Sequence, residues 1–429
     1  MHVCAKSNLF SHKKTSHRKP RKESNTKLNP KAWNAIKIGT LCSVSYLAVY
    51  IARNILSAVT PQMLELGYAE EYIGKISSLY FICYAVGQLI NGAIGEKIRA
   101  KWMIFMGLMG AGITNLVFPH ITFSPNAAMI VYGLTGFFLS MVYGPMTKVV
   151  SENTEPIYTT RCTLGYTFAS FFGSPVAGLL ASFLAWQNVF AASSTVLVVM
   201  AITSFLFFSF FERKKLIQYG LFKAQKSGSK NIGVLLKRKI VKFALIAIIT
   251  GIVRTSVVFW LPTYMSQYLG LSAKLSATLF TVATLVISTT AFIAVFIYEH
   301  LGYRLEKTIL FMFLSAALFF GLTFLVNIAA VNIIFLVLAI MSSNGAACLL
   351  WSRYCPSLRD TGMVSSATGF LDFLSYMAAA AANVIFANAA TSIGWSSLIL
   401  VWLGFAVFGI VISLPYDTIF KKMKQNDNT

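Results

Sequence analysis

Residues 46–63 read YLAVYIARNILSAVTPQM, and residues 254–265 read RTSVVFWLPTYM. Each is an apolar run interrupted by one arginine, with a proline eight positions later: Arg53 with Pro61, Arg254 with Pro262. An arginine at the centre of a bilayer-crossing helix costs at least ~2.5 kcal/mol. A costly residue that recurs in the same register 201 positions later (254 − 53) points to a chain built twice over.

The rest of the chain supplies the membrane setting. Of its 429 residues 56% are hydrophobic and 12% charged, about half the charged fraction of an ordinary soluble domain. Apolar runs of bilayer length, about 20 residues each, recur twelve times, from 34–60 to 395–416. The segments 61–71, 121–125, 185–187, 327–329 and 389–394 hold no Lys or Arg, and Lys75 and Lys274 are the basic residues near that side. The intervening segments hold Lys97, Arg99, Lys101, Arg161, Arg304, Lys307, Arg353 and Arg359. This asymmetry predicts a multi-pass protein of the cell (plasma or inner) membrane with both termini cytoplasmic.

The domain organisation follows: a basic cytoplasmic tail (1–32), a six-helix bundle (33–211), a basic linker (212–239), a second six-helix bundle (240–416) and a short cytoplasmic tail (417–429). The net charge of +22 gathers in the tails and the linker. Charge so placed faces lipid headgroups rather than nucleic acid. The tail also lacks the early apolar core of a secretory signal. The six cysteines form no CxxC pair and the five histidines avoid the centres of the apolar runs. With no zinc spacing, phosphate loop or nucleophile elbow, the sequence calls for no enzyme activity, metal or cofactor.

The repeat extends beyond the arginines. Glu96 follows Arg53 by 43 residues and Glu299 follows Arg254 by 45; Gly165-Tyr166 follows Glu96 by 69 and Gly369-Phe370 follows Glu299 by 70. Four landmarks in register imply two parallel, pseudo-symmetric six-helix halves, the plan of major facilitator transporters, which bind substrate near the bilayer midplane between halves. The expected fold is therefore an all-α membrane protein of the major facilitator type, acting as a monomer.

Arg53 lies 16 residues past Lys37 and Arg254 lies 12 past Lys242, about 24 Å and 18 Å along a helix. Both thus fall near mid-membrane, and neither has an acidic residue one turn away. Two guanidinium forks from opposite halves suit a small phosphate or carboxylate substrate. Tyr46 and Tyr50 share the face of Arg53. Asp372, in GFLDFLSYM, is the acidic residue deep in an apolar run; it is a candidate for ion pairing, proton coupling or an interhelical hydrogen bond. Lys148, Glu152 and Glu155 at the inner end of the fourth helix form a candidate cytoplasmic gate or solvated loop. Gly173-Ser174-Pro175 and Ala378 to Ala382 read as close helix contacts.

On these residues the chain resembles the organophosphate:phosphate antiporter family. Tyr46, Tyr50, Arg53 and Pro61 match its first helix; Arg254, Trp260, Pro262, Thr263 and Tyr264 match its seventh. Gly144 to Lys148 resembles the end of its fourth helix, and Gly369, Phe370 and Tyr376 its eleventh. The resemblance implies exchange of a phosphate ester for inorganic phosphate by alternating access. It gives Arg53 and Arg254 the phosphate, with Tyr46, Tyr50, Gln88 and Tyr264 around the substrate. Compared with members that carry glycerol 3-phosphate, Gln88 replaces a lysine, Glu152 a histidine, Thr284 a glutamate and Asp372 a small residue. The alternatives are a proton- or sodium-coupled carboxylate symporter using Asp372, a membrane sensor of sugar phosphates, and a multidrug exporter.

Overall fold

In lipid, a chain must satisfy its backbone polar groups internally, which favours helices for runs as apolar as these. The computed structural model describes residues 30–94, 98–219, 232–358 and 364–414, and among them lie twelve helices long and apolar enough to span a membrane. They are α1 (Pro30–Glu65), α2 (Glu70–Asn91), α3 (Ala100–His120), α4 (Pro125–Asn153), α5 (Arg161–Phe183), α6 (Trp186–Arg213), α7 (Ile240–Gln267), α8 (Ala273–His300), α9 (Leu305–Leu325), α10 (Ala329–Tyr354), α11 (Ala367–Ser392) and α12 (Gly394–Ser413). No strand occurs among the described residues. The tail before Pro30, Glu96 with Lys97, most of the basic linker, Arg359 and the tail after Leu414 lie outside them.

Successive helices reverse direction, so the start of α1 and the end of α12 share one face, termed the terminal face; the opposite one is the far face. Ion pairs hold the helix ends at the terminal face. Glu212 at the end of α6 meets Lys101 of α3 at 2.6 Å, and Glu306 of α9 meets Lys242 of α7 at 2.9 Å. Glu212 thus belongs to α6 rather than to a linker. Lys242 also donates to the carbonyl of Leu414 beyond α12, at 3.1 Å.

Burial sorts the helices. In the most apolar stretch of α7 78% of residues are buried, against 33% in α6 and α8. An apolar helix enclosed on all sides belongs at the centre of a bundle, while one with a bare apolar side faces lipid. On the lipid side stand Leu206 and Phe207 of α6 and Phe292 and Phe296 of α8. Two spans are interrupted, α5 at Phe172, just before Pro175, and α8 at Thr289.

The halves meet along α1–α7, α2–α11 and α5–α8, chiefly toward the far face. Small residues make the seams close. A Cβ on Gly74 of α2 would lie 2.7 Å from Cβ of Ala387 on α11, and one on Gly178 of α5 would lie 3.0 Å from the Ala277 carbonyl of α8. Polar latches finish the seam. Ser57 donates to the Phe259 carbonyl (2.6 Å), Asn383 to Ser77 (2.8 Å) and Gln267 to Glu70 (2.6 Å). The backbone N–H of Ala273, at the start of α8, donates to Glu65 at 3.2 Å, a carboxylate at the positive end of a helix dipole. Toward the terminal face, by contrast, Gly144 of α4 and Gly369 of α11 face open space, and Phe370 is exposed. These contacts between the halves thus gather toward the far face, while the positions named toward the terminal face stand open.

Because Gly178 abuts the α8 backbone, Gly178→Val is expected to hold the far seam apart. With spin labels on Leu66→Cys and Lys274→Cys, the interlabel distances should lengthen relative to the unsubstituted seam. An unchanged distribution would show that this contact does not close the far face.

Candidate functional site

α1 carries Arg53 into the space between the halves, about where its register predicts. The guanidinium lies among four rings, with its carbon 5.2 Å from the centre of Tyr50, 5.4 Å from Phe81, 5.4 Å from Tyr84 and 4.8 Å from Tyr376. Nη1 donates to the Tyr376 hydroxyl at 2.8 Å. Each desolvated cation–π contact contributes roughly 0.5–2 kcal/mol, so the rings offset part of the cost of placing a charge here. They accept no conventional hydrogen bonds, and the fork keeps donors to spare.

Arg254 comes from the other half on a different backbone. Residues Ile252–Val257 form a π-helical turn inside α7, a distortion that frequently marks functional positions. Within the same turn, Ser256 donates to the Ala379 carbonyl of α11 at 2.8 Å. The guanidinium of Arg254 stands 5.7 Å from the centre of the Tyr376 ring, and its Nη2 is buried without a hydrogen-bond partner among the described residues. A buried donor left unsatisfied costs ~1–3 kcal/mol, more when charged. Tyr376 of α11 is thus shared by both arginines: its ring stands near each guanidinium, and its hydroxyl also accepts from Arg53.

No carboxylate lies within ion-pair distance of either guanidinium among the described residues. Asp372 is the nearby acid. It lies one turn before Tyr376 on the same face of α11, half-buried. Given the direction of α11, it stands nearer the open terminal face than the arginines do.

The remaining predicted residues divide. Tyr46 and Tyr50 join the site, their ring centres 4.9 Å apart, and Tyr46 leads on to Tyr143 of α4 (5.4 Å) and Tyr166 of α5 (6.0 Å). Gln88 is half-buried one turn beyond Tyr84 toward the terminal face. Tyr264 does not join. It lies ten residues past Arg254 (264 − 254), fully buried, and its hydroxyl donates to Asn332 of α10 at 2.6 Å. Its side chain is committed to packing between α7 and α10. Lys148 and Glu152 sit half-buried near the terminal end of α4, where Glu152 Oε2 has no hydrogen-bond partner among the described residues. Glu155 pairs with Lys31 of α1, within its own half, at 2.8 Å.

Phe81, Tyr84, Tyr143 and Tyr376 were not among the predicted site residues. The signal for Tyr376 was its place one turn from Asp372. Phe81 and Tyr84 of α2 carry no charge and read in sequence as core. Polar readout at this site rests on guanidinium, phenol and one carboxylate, a set that can hold an oxyanion without covalent chemistry.

Residues 42–383 match the Major Facilitator Superfamily. The chain is 28% identical over 96 residues to the membrane sensor protein UhpC of Escherichia coli, covering 22% of each chain. It is 19% identical over 166 residues to the glycerol-3-phosphate transporter of Bacillus subtilis, covering 37% of each. The matched stretches therefore span well under two thirds of these relatives. Among solved structures, a bacterial homologue of the human lysosomal transporter Spinster, inward-facing and unoccupied, superposes with a TM-score of 0.72 at 11% identity. That superposition covers 89% of this chain and 96% of the other, and at such identity it carries the fold alone.

Proposed function

The chain belongs to the Major Facilitator Superfamily and is a transporter rather than an enzyme; on that premise we propose that it carries a small organic anion, most specifically a phosphate ester, in exchange for inorganic phosphate. The carrying observation is the meeting of Arg53 and Arg254, from opposite halves, at Tyr376 with no carboxylate in ion-pair range among the described residues. A phosphate placed between the forks would supply the acceptor that Arg254 Nη2 lacks. It would also compete with Tyr376 for Arg53. Binding between the halves would then link occupancy to their relative movement, as alternating access requires.

The basic terminal face supports a cytoplasmic assignment for it, and on that assignment the cavity is inward-open. Lys148 and Glu152 then stand where a cytoplasmic gate would close. The relatives that handle phosphate compounds support the substrate class, although they match this chain over limited stretches.

The direct test is phosphate self-exchange. Proteoliposomes loaded with unlabelled phosphate should take up labelled phosphate, and liposomes lacking the protein should not. Absence of exchange by folded protein would overturn the antiport reading. The similarity to a membrane sensor favours one second reading, recognition of a phosphate ester without flux. Saturable binding of a phosphate ester with no uptake of it would support the sensor over the transporter.

A further inference from the structure

Asp372 is the group in the site that an anion carrier has least reason to keep. A carboxylate beside two arginines lowers the formal charge of the site from +2 to +1 (Arg53, Arg254, Asp372), and it repels an approaching phosphate. It is not serving as a structural ion pair, because no cation lies within ion-pair distance of it among the described residues. The residue is half-buried, four positions from Tyr376 on the same face of α11, about 6 Å along the helix.

The opposing half lines the site with aromatic rings. Tyr143 of α4, which is partly exposed, belongs to the ring cluster that runs from Arg53 through Tyr50 and Tyr46. Behind it the rings of Tyr46 and Tyr166 stand 5.4 Å and 6.1 Å from that of Tyr143. A carboxylate and electron-rich rings on opposing halves of one site are a setting for an ammonium group, which can take an ion pair from the one and ring faces from the other. The site therefore has two poles along one axis. The deep pole has two guanidinium groups, and the pole nearer the open terminal face has a carboxylate and phenol rings.

We propose that the substrate is zwitterionic: a phosphate ester that also carries an ammonium group, the phosphate held by Arg53 and Arg254 and the ammonium by Asp372 and Tyr143. This rests on the phosphate-carrier reading above and narrows its substrate class. A neutral sugar phosphate would leave the Asp372 carboxylate unanswered, whereas an amino-substituted one satisfies both poles.

The experiment uses two pairs, the first differing only in an amine for a hydroxyl and the second comparing a small ammonium ester with a small uncharged-chain ester. The purified full-length protein is challenged with glucosamine 6-phosphate against glucose 6-phosphate, and with phosphoethanolamine against glycerol 3-phosphate. Competition with labelled phosphate is read in exchange, and ligand-induced thermal stabilisation is read in detergent. The expected result is an advantage of about tenfold or more in half-maximal concentration for the ammonium member of at least one pair, the scale of a charge-assisted contact. N-Acetylglucosamine 6-phosphate, whose nitrogen is uncharged, should lose that advantage. Asp372→Asn should collapse the ratio toward one, and Asp372→Glu should restore part of it. Equal competition by both members of both pairs would overturn the zwitterion while leaving the phosphate carrier standing. So would a preference that survives in Asp372→Asn. If no phosphate compound competes or stabilises, both readings fall together.

Discussion

Arg254→Gln is expected to abolish phosphate exchange, and Arg53→Gln to do the same, each by about a hundredfold or more while the protein still inserts and elutes as the parent does. Glutamine keeps much of the length and loses the charge and the fork. Removing a charge-assisted contact to a desolvated anion costs ~2–5 kcal/mol, which converts to well beyond tenfold. The structure separates the two variants. Arg53 is already engaged by four rings and the Tyr376 hydroxyl, so its loss also releases Tyr376 and loosens the aromatic wall. Arg254 holds a buried Nη2 with no partner among the described residues, so its loss removes an unsatisfied donor and should leave thermal stability unchanged or slightly raised. Lysine substitutions refine the test, since they keep a charge and lose planar bidentate geometry. Arg254→Lys should retain measurable exchange at reduced rate. Normal exchange in either glutamine variant would sink the paired-arginine account.

The fold was legible because the membrane simplifies the code. Length and apolarity alone define a spanning helix, so the runs that begin at 34–60 and end at 395–416 lie within or beside the observed α1 to α12. The arginines and Asp372 were legible for the same reason, since a charge in lipid must have a cause. What escaped was anything carried by groups that are ordinary in such a chain. Phe81, Tyr84 and Tyr143 look in sequence like any other core aromatic, and only the fold brings two of them to Arg53. The π turn around Arg254 leaves no mark in IVRTSV that periodicity can detect. Tyr264 was drawn into the site by its neighbours in the motif, but at 1.5 Å per residue it stands about 15 Å beyond Arg254 along α7. The latches of Glu65 and Glu70 were missed because those residues registered only as a loop without basic charge. Their partners, Ala273 and Gln267, lie in the other half and some two hundred residues away (273 − 65 = 208; 267 − 70 = 197).

Close packing supplies a test that touches no charge. Gly251 of α7 precedes Arg254 by one turn, and a Cβ there would lie 2.7 Å from the Ser375 carbonyl and 2.9 Å from its Cα. Both are backbone atoms of α11, immediately before Tyr376, and cannot swing aside. Helix propensity alone predicts that Gly→Ala inside a helix stabilises by about 1 kcal/mol. The packing predicts the opposite sign, since overfilling a tight contact costs ~1–3 kcal/mol. Gly251→Ala is therefore expected to lower the melting temperature and slow exchange by roughly tenfold, and Gly251→Val to abolish exchange by prising Arg254 away from Tyr376. Gly321 of α9 is the control. It too lies within a helix, but nothing stands within 4 Å of its added Cβ, so Gly321→Ala should follow propensity and leave exchange intact. If Gly251→Val exchanged phosphate at the parental rate, the two arginines would not need the α7–α11 contact to meet. The site would then have to form in another arrangement of the halves, one in which this seam is already open.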